Sequence, residues 1–296
     1  MPNASVLLTR QAGPNQPVIA ELQLAQTEDD NATPASLQMT IGRRAFGTIR
    51  MDRDNRIGKL SPEQTAAFLN ALPKDDANDA IAWSAGTVRW GISKMGANAV
   101  LLKMDEFQGR LGTPGALIRK GNQPESSVLP ALPRPVVVSP HIKPSLPQPT
   151  LSNAQTRNLL AELRKSVKEG DCDRLTPESG EQPDIRLEAL SDKAMLVSAT
   201  CWVGAYNTGD GYWVANRNAP HTPRFITASA NDHEDGVLSG FQKGRGIGDC
   251  IAAETWTWDG HTFVHTSATT TGMCRQFAAG GAWDFPTLVS EVRRTR

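Results

Sequence analysis

Residues 201–217 read CWVGAYNTGDGYWVANR, and this stretch decides the fold. Aromatic and β-branched runs on either side of Asn207-Thr208-Gly209-Asp210-Gly211, a polar turn-rich loop, are the pattern of paired strands rather than of a helix. The same alternation continues through GFQKGRGIGDC (240–250), WTWDGHTF (256–263) and TTTGMCRQFAAGGAWDFP (269–286). Between Cys201 and Trp283 lie three of the four cysteines, five of the seven tryptophans, both tyrosines and four of the five histidines.

Working outward, IRLEAL (185–190), KAMLVSATCWVGAY (193–206), GYWVANR (211–217), RFITASA (224–230), GVLSGFQK (236–243), AETWTWDG (253–260), HTFVHTSA (261–268) and the segment near Cys274 all read as strands. Their spacing of about ten residues, with turn residues between, predicts an antiparallel meander folded as a sandwich or a sharply curled sheet. Asp259-Gly260 predicts a type I′ hairpin turn, with Trp256 and Trp258 sharing a face. One helix leads into this block: Ser152 is its cap, Leu159, Leu160, Leu163 and Val167 its buried face, and Gly170 its stop.

The first 120 residues predict a small α+β domain without cysteine. ASVLLTR (4–10), PVIAELQL (17–24), LQMTIG (37–42) and FGTIRMD (46–52) read as strands, and IAWSAGTVRWGI (81–92) as a bent strand or a hairpin around Gly86. Ser61, Pro62 and Gln64 form a helix-start signature, and Ala67, Phe68, Ala71 and Leu72 the stripe that follows. A second helix runs from Gly96 to Phe107 with Val100, Leu101 and Met104 inward and Gly109 beyond its end. ALIRK (116–120) closes the block as a strand. Residues 121–149 contain eight prolines. Because proline fixes φ and donates no backbone hydrogen bond, the segment reads as an extended linker, with a proline-motif ligand for a partner domain as the other reading. The expected domains are therefore 1–120, a linker over 121–149, and a β-rich domain over 150–296.

Lys+Arg and Asp+Glu both total 31 in the 296 residues, and this zero balance argues against a dedicated nucleic-acid binder. No run of 18 apolar residues predicts a membrane span. The N-terminal residues show no charged-then-apolar export signal. All four cysteines fall in the second half and none forms a C-x2-C pair, which argues against tetrahedral zinc. Four confined to one domain fit two disulfides with three possible connectivities. Cys172–Cys201 with Cys250–Cys274 is favoured because each pair is nearest in sequence and brackets neighbouring strands. Four free thiols in a cytosolic protein is the alternative.

No catalytic constellation, cofactor motif or metal set stands out. KGRGIGD (243–249) lacks the terminal Lys-Ser/Thr of a phosphate loop and the dinucleotide-binding spacing, so it reads as a tight loop in which Arg245 and Asp249 form an ion pair or polar contact. His261 and His265 would lie about 13 Å apart on a strand, too far for one metal. NDHEDG (231–236) and DRDNRIGKLSPE (52–63) lack part of a calcium-loop ligand set; in the latter Arg56 stands where a ligand belongs. The remaining lead is aromatic. Tyr206, Tyr212 and Trp213 beside Asn207 and Asp210, with Arg245 and Asp249 nearby, have the composition of a protein- or glycan-contact surface. The competing reading places Trp202, Trp213, Trp256 and Trp283 in a sheet core short of Leu and Phe.

GAYNTGDGYWVANR, RFITASANDHEDGVLSGFQKGRGIGDC, WTWDGHTF and TTGMCR…AGGAWDFPTLV resemble the DUF1176 family of uncharacterised proteins from Gram-negative bacteria, and LLTRQAGP with GANAVLLKMDEFQGRLGT extends the resemblance into the first half. The resemblance implies export to the periplasm and no assigned activity. It further implies a signal peptide and a cysteine-containing first strand ahead of ASVLLTR, so that this chain would start downstream of both. The first half is also similar to the invasion-associated locus B proteins in its order of helix, strand and small-residue helix. The resulting expectation is an α+β protein whose β-rich second domain binds a protein or glycan of the envelope without catalysis, an inhibitor of a cell-wall-degrading enzyme being one form. The alternatives are an envelope hydrolase with an unmarked site near Arg245 and Asp249, and a structural envelope component.

Overall fold

The structure, a computed structural model, describes residues 4–25, 33–52, 54, 56–74, 79–175 and 183–295. The chain divides into two compact units, residues 1–133 with 276–278 and residues 134–275 with 279–296. Both are β-rich with few helices, an α+β fold.

The first unit is built on β1 (Ala4–Arg10), β2 (Val18–Leu24), β3 (Ser36–Ile41), β4 (Arg44–Asp52), β5 (Ile57–Lys59), β6 (Ile81–Ala85) and β7 (Val88–Gly91). They form one antiparallel sheet in the order β1-β2-β5-β4-β3-β6-β7. Alternation buries Ala20, Leu22 and Leu24 of β2 against Leu37, Met39, Ile49 and Trp83. Helix α1 (Pro62–Ala71) starts with the expected capping box: Ser61 Oγ accepts from Gln64 N at 3.2 Å, and Ser61 N donates to Gln64 Oε1 at 2.9 Å. Gln64 Nε2 then donates to the Phe46 carbonyl at 3.0 Å and ties the helix start to β4.

Helix α2 (Ala97–Phe107) buries Leu101, but Val100 lies on its solvent face, contrary to the inward position expected of it. The five residues ALIRK do not form a strand. The physical reason is Asp105, fully buried on α2. Its Oδ2 accepts from the backbone N–H groups of Leu117 and Ile118 at 2.7 and 3.0 Å, so these donors go to a carboxylate instead of a sheet ladder. Its Oδ1 accepts from Arg10 Nη2 at 2.8 Å, in a pair whose side chains are 1% and 0% exposed. Arg110, equally buried, pairs with Glu125 at 3.1 Å and donates to the Gly13 carbonyl.

The proline-rich segment is divided between the units. Glu125 belongs to the first through Arg110, whereas Val136–Ser139 forms β8 and pairs in parallel with β18 (Glu291–Arg294) of the second. The second unit continues with α3 (Asn153–Ser166), capped by Ser152 and ending four residues before Gly170. Then come β9 (Arg186–Ala189), β10 (Ala194–Val203), β11 (Thr208–Asn216), β12 (Arg224–Ala230), β13 (Asp232–Glu234), β14 (Val237–Lys243), β15 (Ile251–Trp258), β16 (Phe263–Thr270) and β17 (Phe285–Val289). A four-stranded sheet has the order β12-β11-β10-β9 and a five-stranded sheet the order β13-β14-β15-β16-β17. No strand forms at Cys274; the last strand of that sheet begins at Phe285.

Strand β10 is the middle layer. Its run Met195–Ala199 is buried on both faces, which is why it is apolar at every position but Ser198 rather than alternating. Met195, Val197, Ala199 and Cys201 pack with Trp213 and Ala215 of β11 against Leu159 and Leu163 of α3. Leu196 on the other face packs with Tyr212 and Val214 against Leu238, Trp256, Trp258 and Phe263 of the five-stranded sheet. The layers are thus helix, sheet, sheet. Both expected disulfides form, Cys172–Cys201 and Cys250–Cys274. Gly211 sits beneath the first: a Cβ there would lie 2.3 Å from the Trp213 ring and 2.4 Å from Cys201 Sγ. Gly211→Ala is therefore expected to cost about 1–3 kcal/mol by overpacking, read as a lower urea midpoint of the second unit; an unchanged midpoint would contradict this packing.

The hairpin expected at Asp259-Gly260 forms between β15 and β16, but its turn is not type I′. Asp259–Thr262 is a four-residue connection in which Asp259 Oδ1 accepts from His261 N and Thr262 N at 2.7 Å each, and of this pair only Gly260 has positive φ. The two-residue turn with both central φ positive is Asp235-Gly236, at 46° and 73°, joining β13 to β14.

Candidate functional site

The turn at the end of β10 is shorter than its sequence suggests. It spans Gly204 to Asn207, closed by Gly204 N donating to the Asn207 carbonyl at 2.8 Å, while Thr208, Gly209, Asp210 and Gly211 already belong to β11. The side chain of Asn207 docks this turn on the last residue of β14. Its Oδ1 accepts from Lys243 N at 2.9 Å and its Nδ2 donates to the Lys243 carbonyl at 2.8 Å, imitating a strand pairing with an amide. Asn231 and Gln242 add stitches at the same end, both donating to the Thr208 carbonyl, and Asn231 Oδ1 accepts from Phe241 N at 2.7 Å.

The glycine loop begins where Asn207 binds. Gly244 N donates to the Cys250 carbonyl at 2.9 Å and Gly248 N to the Arg245 carbonyl at 3.0 Å. These amides close the loop on itself rather than offering a cradle for phosphate. Arg245 grips the buried Asp249 in a two-pronged pair, Nε to Oδ1 at 2.7 Å and Nη2 to Oδ2 at 2.5 Å. The hydrogen bond to Asp249 raises the Arg245 guanidinium above its ordinary range. The Cys250–Cys274 bridge anchors the far side of the loop.

Tyr206 lies over this assembly. Its ring runs beside Gly246, whose Cβ position would be 3.6 Å from Tyr206 Cδ1, and the residue is 47% exposed. Val203, the last residue of β10, and Ile247 of the glycine loop are also exposed. Tyr206, Asn207, Arg245 and Asp249 are therefore brought together.

The other three candidates are not part of this surface. Asp210 lies within β11 and binds Arg186 Nη2 at 2.5 Å and Thr200 Oγ1 at 2.9 Å. Tyr212 is buried between the sheets, and burial pushes its phenol well above the usual range, with Asp210 adding to it. Trp213 faces the opposite way, fully buried, donating from Nε1 to Ser166 Oγ at 2.8 Å and packing on Phe225. Tyr212 and Trp213 are corrected from contact residues to core residues, the cause being strand alternation: adjacent positions on a strand covered on both faces both go inward. Tyr212→Ala is therefore expected to lower the thermal midpoint of the second unit. Sequence reading missed the docking partners Lys243, Asn231 and Gln242; the available signal was the placement of Asn and Gln at strand ends.

Asp249, Cys250 and Cys274 place ligand-type atoms within 4.8 Å of one another, but both sulfurs belong to the disulfide and are not thiolates, so the group does not suit a metal. His265 stacks on Trp256 at 4.8 Å between ring centroids, on β16, while His261 lies in the preceding connection. Among the described residues no helix is long and apolar enough to cross a membrane.

Fold and disulfides together define a disulfide-bonded, β-rich protein of two units, the second carrying the Tyr206 loop beside the Cys250–Cys274 bridge. The chain belongs to the DUF1176 family, proteins of unknown function, whose pattern it matches over residues 1–290. It is 30% identical over 216 residues to the uncharacterised protein YpfG of Escherichia coli (strain K12), covering 67% of this chain and 59% of that relative. The chain thus spans about three fifths of the relative's length. These matches lend no support to a likeness with the invasion-associated locus B proteins. No solved structure matches.

Proposed function

We propose that this protein is a non-enzymatic component of the bacterial envelope that binds a protein or glycan through the Tyr206 loop of its second unit. One observation carries the reading: a half-exposed tyrosine held between two strand ends by the Asn207–Lys243 amide pair and backed by a loop fixed through Cys250–Cys274. An aromatic anchor on a pre-formed surface loses little conformational freedom on binding and is the usual kind of contact residue at interfaces. Two disulfides favour an oxidising compartment, the periplasm or the exterior. An inhibitor of a cell-wall-degrading enzyme is one form such a protein takes. The hydrolase reading is disfavoured by the Arg245–Asp249 pair, in which the buried carboxylate is already neutralised by a guanidinium in two-pronged contact.

Tyr206→Ala is expected to weaken saturable binding, to a partner purified from periplasmic extract or to a glycan found on an array, by about thirtyfold or more while leaving the thermal midpoint unchanged. Retained affinity in a folded Tyr206→Ala protein would move the contact elsewhere. Turnover of glycosidic or ester probes that disappears in Asp249→Asn would overturn the reading in favour of the hydrolase. Silence in both assays would favour a structural component.

A further inference from the structure

At the other end of β10 the second unit carries a different kind of site. Ten residues of strand, roughly 30 Å at about 3.3 Å each, separate Val203 from the start of the strand. There a cavity of about 440 Å³ opens where the four-stranded and five-stranded sheets meet. Ser191, Lys193, Asn216, Thr222, Arg224 and His261 make its polar wall, with no carboxylate among the lining residues.

The hydroxyls and cations of this wall have protons to donate. Ser191 Oγ accepts from Lys193 N at 3.2 Å and Ala194 N at 3.0 Å, which engages both lone pairs and leaves its O–H to donate. Thr222 Oγ1 accepts from Asn216 Nδ2 at 2.8 Å, so its proton too is available. Arg224 uses Nη2 on the His261 carbonyl at 2.8 Å and keeps the rest of its fork. Neither Arg224 nor Lys193 has an ion-pair partner among the described residues. Arg217 adds a third cation behind the Ser191 turn, donating to the Ser191 carbonyl at 3.2 Å. Of the acids nearest in sequence, Asp259 is engaged by the amides of its own connection, and Asp192 is exposed. The remaining side-chain acceptors on the wall are the Asn216 carbonyl and, in an uncharged imidazole, one ring nitrogen of His261.

A second observation points to the same place. Thr222 has φ of 38°, in the left-handed region that β-branched residues adopt only where their surroundings impose it, and such residues cluster at ligand sites.

We propose that this cavity binds the phosphate group of a small organic phosphate ester. The ester would lie with its phosphate between Lys193 and Arg224 and accept from the hydroxyls of Ser191 and Thr222. A phosphate monoester offers three oxygens and nearly two negative charges, which matches two cations and two hydroxyl donors better than the two oxygens and single charge of a carboxylate. The volume lies in the range of small-molecule pockets and leaves room for a body of sugar or glycerol size beyond the phosphate.

Isothermal titration of the full chain with glycerol 3-phosphate tests this, with inorganic phosphate, acetate and vesicles of phosphatidic acid as parallel probes. Saturable binding of glycerol 3-phosphate is expected, weakening with salt, with acetate at least about tenfold weaker. Lys193→Gln and Arg224→Gln should each reduce affinity by about tenfold or more, without lowering the ligand-free thermal midpoint because both side chains are exposed. Vesicle binding that needs the same two residues would identify a lipid headgroup as the source of the phosphate; binding of the soluble ester alone would identify a free metabolite. No saturable binding of any phosphate probe, or equal affinity in the folded double variant, would overturn the proposal. Tyr206→Ala should leave this binding intact, which keeps the result separate from that of the loop surface.

Discussion

Replacing Asp105 with alanine is expected to destabilise the first unit by about 3–5 kcal/mol. The carboxylate is fully buried, and both of its oxygens are engaged, by the Arg10 guanidinium on one side and by two backbone amides on the other. Removing it leaves a guanidinium that is itself 1% exposed with Gln108 Oε1 and the Gly115 carbonyl as acceptors but no counter-ion, and leaves the Leu117 and Ile118 N–H groups without their acceptor. The measurement is the urea midpoint of the first unit, resolved by hydrogen exchange at its amides. Asp105→Asn separates charge from shape: it keeps an acceptor for the amides, loses the ion pair, and should fall between wild type and Asp105→Ala. If Asp105→Ala costs less than about 1 kcal/mol, Arg10 is being satisfied by other means and the buried pair is not what holds the 110–120 segment.

The paired substitution Cys172→Ser with Cys201→Ser is expected to cost the second unit about 3–4 kcal/mol on the loop-closure account, for a sequence separation of 29 residues. Both cysteines lie in the core between α3 and the four-stranded sheet, so lost packing adds to the unfolded-state effect. Cys250→Ser with Cys274→Ser, spanning 24 residues, should behave differently. That bridge anchors the glycine loop under Tyr206, so its loss is expected to weaken partner binding more than it lowers the midpoint. Matched urea curves and binding isotherms for the two double variants check the contrast. Equal stability of the first variant and wild type would sink the role assigned to Cys172–Cys201.

These expectations show what could be read from residues alone and what could not. Local chemistry was legible. Ser61 and Gln64 mark their helix start because the capping box is closed within four residues, and cysteine proximity in sequence matched the disulfide pairing because each bridge joins neighbouring elements. Non-local competition was not legible. ALIRK has the composition of a strand, yet Asp105 on the preceding helix takes its amides. Tyr212 and Trp213 look like a binding pair beside a polar loop, yet a helix lies on one face of their strand and a second sheet on the other. Asp235-Gly236 and Asp259-Gly260 are the same dipeptide in two connections of different length, and only pairing register distinguishes them. At the site, the aromatic and the loop were visible, whereas the docking of Asn207 on Lys243 joins residues 36 apart and required the fold.

The parallel pairing of β8 with β18 has a consequence for how the second unit is made. Glu291 and Val136 are partners across 155 residues, the two outer ends of the unit's chain. A polypeptide emerging from the ribosome presents β8 long before β18 exists, so β8 must wait unpaired while the meander between them collapses. Closing so large a loop comes late and makes the topology a slow one. Until that happens, Val136 and Val138, which remain partly exposed even in the finished ladder, offer an open strand edge to whatever is nearby. The final four-residue ladder is therefore also what closes that edge of β8.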